Sequence, residues 1–234
     1  GSAPDQLDST SNGNDGTSSH PADDRVTGQL GKGIFYDGSS DQTSYGTAAS
    51  LRVLVDWTIS FWYKGLQTNG GSQNFLSKAN STGNQRSWNM WQDGSGKLGV
   101  GLNPSGTGTP NKNYITGTLL SDNTWKKVDV TFASNDLKIY IDGVEDTPTK
   151  NADSTTAAVF DASTTPLWLG QHGNGNNGPL GGAHIDEFRF SSAVRTSTWI
   201  ETEFNNQSNT GTFYAVGAEE VITAVVLDPI ICMW

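Results

Sequence analysis

One short run decides what kind of structure this chain can adopt. In "WTISFWYK", Trp57, Ile59, Phe61 and Tyr63 fall on alternate positions. Strand side chains change face at every residue, so this pattern commits one face of a β-strand to an apolar core. The same period returns in "TWKKVDVTF", where Val128, Val130 and Phe132 are in phase, and in "DLKIYIDGVED", where Leu137, Ile139 and Ile141 share a face. Asp142-Gly143 follows the latter and suits the positive φ angles of a tight hairpin turn. "GIFYDGSSD", "NFLSKAN", "PLWLGQ", "AHIDEFRFS" and the hairpin "SWNMWQDGSGKLGVGL", turning at Asp93–Gly96, read as further strands. A helical period appears only in "RTSTWIETEFNNQ", near residues 196–206, with Ile200 and Phe204 on one face and Thr198 with Glu201 as a capping box. The expectation is an all-β, antiparallel two-sheet β-sandwich of jelly-roll type with one short helix.

Composition agrees. With 234 residues the chain fits a single sandwich domain. Charged residues are 16% of it, below the usual quarter, and 28 glycines serve many turns. A net charge of −10 and the lack of any Lys/Arg run exclude a nucleic-acid or anionic-membrane surface. No segment reads as a membrane insertion. The lone Cys232 rules out an intrachain disulfide. Residues 1–220 form the expected domain. The apolar "VITAVVLDPIICMW", 221–234, is either foreign to it or docks as an extra strand; docking is expected, because so hydrophobic a run left exposed invites aggregation.

Near the start, "LDSTSNGNDGT" imitates half of an EF-hand loop through Asp8, Thr10, Asn12 and Gly13. The twelfth loop position is Ser19 instead of a bidentate Glu, and neither flank is helical, so that reading fails. An Asx-turn loop and a calcium loop of another kind both remain open.

Four segments, "DSTSNGNDGT", "FYDGSSDQTSYG", "TWKKVDVTFASNDLKIYIDGV" and "GGAHIDEFRFSSAVRTSTWIETEFNNQ" followed by "TFYAVGAEE", occur in this order over residues 5–220. In this ordered set the chain resembles laminin-G-like members of the concanavalin A-like lectin/glucanase superfamily. It lacks the Trp-bearing strand that usually precedes the Asp-Ser segment. The resemblance implies a secreted or cell-surface module, carbohydrate recognition, and a structural calcium near the early loop. Asp8, Asn12, Asn14 and Asp15 would supply oxygens from that loop, with Asp37 and Asp186 adding carboxylates from across the sheet.

The glucanases of this superfamily carry an E-x-D-x-x-E strand, and a retaining enzyme needs paired carboxylates on one face. Asp186 and Glu187 are adjacent, as are Glu145 and Asp146, so each pair points to opposite faces of its strand. No catalytic role is therefore expected. For a binder, sugar rings need aromatic faces and amides. Trp91 runs out of phase with Trp88 and Met90, and Trp62 with Phe61 and Tyr63. Arg86 and the loop "GQHGNGNNGPLGG", with His172, Asn174, Asn176 and Asn177, complete the candidate ligand set. His184 is read as a structural histidine. The partner expected is a polysaccharide or glycan. A surface-protein partner, in an adhesion or spacer domain, is the alternative.

Overall fold

A computed structural model describes residues 6–19, 25–39, 41–66, 71–173 and 180–210. Asn174, Asn176, Asn177 and the 221–234 segment lie outside them. The strands are β1 (Thr17–Ser18), β2 (Arg25–Thr27), β3 (Lys32–Asp37), β4 (Thr43–Ser44), β5 (Trp57–Gly65), β6 (Gln73–Asn80), β7 (Gln85–Gln92) and β8 (Lys97–Gly106). They continue as β9 (Lys112–Leu119), β10 (Lys126–Ala133), β11 (Asp136–Ile141), β12 (Val144–Glu145), β13 (Thr149–Asp153), β14 (Trp168–Leu169) and β15 (Gly181–Ser191), followed by helix α1 (Ser197–Ser208). The larger sheet has the order β1-β4-β14-β6-β7-β8-β9-β13 and the smaller β12-β11-β10-β5-β15-β3-β2. All ladders pair antiparallel, giving the expected jelly-roll sandwich. The outermost strands have two to five residues, which leaves little edge for another chain to pair with.

The inward set matches the alternation. Trp57, Ile59, Phe61 and Tyr63 meet Val128, Val130 and Phe132 from the smaller sheet and Leu76, Trp88, Met90, Val100 and Leu102 from the larger. Trp57 lies 5.6 Å from Phe132 and 6.0 Å from Trp88 between ring centroids, and Tyr63 meets Phe75 edge-on at 4.8 Å. Each such fully buried side chain contributes about 1.5–3 kcal/mol. At Asp142-Gly143 the backbone takes φ 53° and 80°, as the turn chemistry requires.

Helix α1 starts two residues earlier than the expected capping box: Thr196, not Thr198, caps it, its Oγ1 accepting from Trp199 N at 3.2 Å. The helix covers the outer face of the smaller sheet, and for that reason β5 and β10 are buried on both faces. Ile200 is buried there, and Phe204 stacks on Trp62 at 5.9 Å. Beneath the helix lies a charged cluster that the sequence did not announce. Lys127 Nζ donates to Asp129 Oδ1 at 2.9 Å and Glu203 Oε2 at 3.0 Å, while Glu203 also pairs with Arg189. Among the described residues no helix is long and apolar enough to cross a membrane.

Candidate functional site

The ladders put two rows of side chains on the outer face of the larger sheet. Trp168, Ser77, Asn89, Gly101 and Asn113 face one another across β14, β6, β7, β8 and β9. Asn74, Trp91, Gly99 and Ile115 form the next row. Leu169, Leu76, Met90, Val100 and Tyr114, which lie between these positions, belong to the core, so both rows point outward. Trp91 is the half-buried outward Trp that its phase predicted; Trp88 is its core-facing neighbour.

Trp91 lies flat because β8 gives it no side chains to climb over. A Cβ at Gly99 would collide with Cε2, Cζ2 and Cδ2 of the indole. At Gly101 it would sit 2.8 Å from Asn89 Oδ1, 3.3 Å from Trp91 Cζ3 and 3.4 Å from Pro110 Cγ. The ring thus rests on a shelf of two strand glycines, edged by Asn89, Pro110 and the Gly101-paired Asn113. Asn113 Oδ1 is buried without a hydrogen-bond partner. Glycine inside a strand often marks such a close approach, and the alternation "GVG" opposite Trp91 was the signal available in the sequence. Gly99→Ala is expected to tip the indole off the shelf. Ligand affinity should then fall while the unfolding free energy measured in urea stays within about 1 kcal/mol of the parent, since alanine itself suits a strand better than glycine. Unchanged affinity would mean that the flat indole is not used.

At the other end of the face, the chain after β14 folds back over β6. Ser77 Oγ donates to Gln171 O at 3.0 Å, and Gly173 N donates to Ala79 O at 3.1 Å. This brings His172 beside Arg86, which is laddered to Ala79. Burial, and after it the Arg86 charge, push the His172 pKa below its usual value, so the ring is neutral at pH 7. Its Nδ1 is buried without a partner. Trp91, Arg86 and His172 therefore share one face.

Trp62 does not join them. It is 2% exposed, stacks under Phe204, and its Nε1 donates to Gln207 Oε1 at 2.7 Å. The helix that covers it makes it a packing residue, which removes it from the ligand set. His184 is structural as expected, its ring held 5.1 Å from Phe35 and 6.1 Å from Trp125.

The six expected calcium ligands are not gathered into one site. Asp8 Oδ1 accepts from Thr10 N and Oδ2 from Asn14 N, both at 2.8 Å, and Asp15 Oδ1 accepts from Asp8 N at 2.8 Å. The loop therefore closes on itself as an Asx-turn structure. Asn14 Oδ1 takes the Ser50 hydroxyl, and Asn12 N donates to Thr10 Oγ1. Asp37 holds Ser39 N, while Asp186 holds Leu30 N and Glu187 N. Among the described residues no cluster of three or more His, Cys, Asp or Glu has metal-binding geometry. As they stand, these side chains do not fit a single ion.

The hydrogen bonds from Asn14 N and Thr10 N hold the Asp8 carboxyl below its usual pKa. A group lowered on folding stabilises the protein above its unfolded pKa, 3.8, and that stability is lost as pH falls through the folded value. Asp8→Asn is expected to give a shallower drop in Tm between pH 5 and pH 2. An acid limb identical to that of the parent would remove Asp8 from this account.

Among the described residues, several carboxylates are held by cations. Asp129 and Glu203 are bridged by Lys127 and sealed at 0% and 7% exposure. Glu187 sits in a bulge of β15 with φ 50° and pairs with Arg189 at 2.6 Å. A hollow of about 240 Å³ opens where Gln6, Ile34, Leu169 and Ile185 meet. Its one ring, Phe188, is half-buried and tilted 43° against Tyr45 at 5.4 Å.

Residues 37–201 match a laminin-G domain family described as the concanavalin A-like lectin/glucanases superfamily. No relative was found among curated proteins. Similar solved structures include the binding domain of Paraclostridial Mosquitocidal Protein 1, at 17% identity and TM-score 0.60, covering 78% of this chain and 45% of that one. The botulinum neurotoxin serotype D ligand binding domain, solved with N-acetylneuraminic acid, is 16% identical with TM-score 0.62, covering 86% and 48%. Trypanosoma rangeli sialidase, solved with the inhibitor DANA, is 14% identical with TM-score 0.58, covering 81% and 29%. The chain thus spans less than half of each, and the likeness is one of fold.

Proposed function

The chain belongs to the concanavalin A-like lectin/glucanases superfamily, and from that premise we propose that it is a non-catalytic carbohydrate-binding module whose sugar lies across Trp91. The observation that carries this reading is the indole held flat over Gly99 and Gly101, with Asn89 and Asn113 at its edge. A flat ring stacks on the C–H face of a pyranose, and flanking amides choose among its hydroxyls. Asn89 and Asn113 are both half-buried at the edge of the ring, where their amides can meet sugar hydroxyls. Most of the similar structures named above are binding domains, one of them solved with a sialic acid, which agrees with this reading. A place outside the cell, secreted or surface-attached, is part of the proposal, since extended glycans are met there.

The test is binding to a broad polysaccharide and glycan array in calcium, repeated in EDTA. Hits in either buffer support the module as a lectin-like binder. Hits lost in EDTA would bring calcium into binding, and hits that persist would leave it at most a structural place. Silence in both buffers would sink the reading in favour of an adhesion or spacer domain. The exposed Trp199, with Arg195 stacked 4.5 Å over its ring, is then the surface to examine.

A further inference from the structure

The face that holds Trp91 also carries Arg86, a cation with no ion-pair partner among the described residues. Ladder parity puts Arg86 on the same side of β7 as Asn89 and Trp91: Ala79, its partner, follows the inward Lys78, and Ser87 is taken up by a bulge. Several of the more buried basic residues are answered within the protein. Lys127 has Asp129 and Glu203, Lys112 has Asp153 at 2.6 Å, Arg52 has Asp161, and Lys78 donates to Thr165 O at 2.8 Å. Among the described residues Arg86 makes no ion pair. Its neighbour His172 brings a ring nitrogen, Nδ1, that is buried and unpartnered.

We infer that the glycan bound on this face is an acidic oligosaccharide, with a sugar carboxylate seated between Arg86 and His172 and a neighbouring ring stacked on Trp91. This inference rests on the carbohydrate-binding reading and narrows it to a substrate class. The guanidinium fork matches a carboxylate with two parallel hydrogen bonds, which an ammonium cannot reproduce. Arg86 and Trp91 are five positions apart on one strand, about 16 Å at strand rise. The ligand is therefore a chain of sugars and not a single ring. The net charge of −10 does not forbid it, because at physiological salt charges beyond about 8 Å are largely screened.

The experiment is an array of matched pairs: uronate oligosaccharides beside their carboxyl-reduced counterparts, and sialylated glycans beside their asialo forms. It is probed with the full chain, Arg86→Gln, Arg86→Lys, and Lys138→Gln as a charge-matched control on the other sheet, where Lys138 pairs with Glu145 at 3.3 Å. The parent and Lys138→Gln should prefer the acidic member at least about tenfold, the scale of one charge-assisted pair. Arg86→Gln should bind both members alike, and Arg86→Lys should restore part of the preference. Binding of neutral glycans with equal strength by the parent would overturn this inference and leave carbohydrate binding standing. So would an acid preference that survives Arg86→Gln. No binding to any spot would remove both readings together.

Discussion

Lys127→Met is expected to cost about 3–5 kcal/mol of unfolding free energy, the scale of a buried ion pair that loses one partner. Lys127 is 1% exposed and holds two carboxylates beneath α1. Glu203 would keep Arg189, but Asp129, at 0% exposure, would keep only the Ser60 hydroxyl at 2.5 Å. Asp129 Oδ2 already has no partner, and burial raises the Asp129 pKa above the usual carboxylate value. A carboxyl raised on folding gives stability that is present below its unfolded pKa, 3.8, and lost as pH rises through the folded value. Removing Lys127 raises it further, so the deficit should be smaller at pH 5 than at pH 7. Lys127→Met/Asp129→Asn, which removes the stranded charge, should be less damaging than Lys127→Met alone. Urea unfolding at the two pH values measures all of this. A loss below about 1 kcal/mol, or no relief in the double variant, would show that the cluster does not anchor the helix.

Trp91→Ala should weaken the best glycan hit by about 30-fold or more, as for a binding hot spot worth about 2 kcal/mol. Its unfolding free energy should change little, since the ring is half-buried on an outer face. Trp88→Ala, three positions away on the same strand, should do the reverse. It leaves a cavity against Trp57 and Phe190 and should cost about 3–5 kcal/mol in stability. Calorimetric titration and urea unfolding of the pair separate the two faces of β7. Equal affinities for Trp91→Ala and the parent would take the sugar off this face.

The contrast between Trp88 and Trp91 was legible in the sequence because phase alone sets it, and the inward sets of β5, β10 and β11 were legible for the same reason. Trp62 obeyed the same phase yet is not a ligand residue. Period two says which face a residue takes, not what covers that face, and here α1 covers it. β9 went unread because its inward positions include Lys112 and Thr116 while Ile115 points outward, so its pattern looks irregular. The Lys127–Asp129–Glu203 cluster joins residues up to 76 positions apart, a contact that no local pattern encodes. Asp and Asn in the early loop read equally well as ion ligands or turn formers, and their hydrogen bonds are those of a turn. Of the site itself, Trp91 was visible, as were Arg86 and His172 as separate candidates. The glycine shelf, Asn89 and Asn113 became meaningful only once register set them beside the indole.

A glycan lying on the Trp91 indole must perturb the N–H of that ring. The most direct measurement is a titration of the ¹⁵N-labelled chain with the strongest array hit, following the assigned indole N–H resonances of the tryptophans. Saturable shifts at Trp91, with Trp57 and Trp62 unmoved in the core and under the helix, are the predicted result. Shifts centred on Trp199, or confined to resonances of the smaller sheet, would place the ligand elsewhere and contradict it.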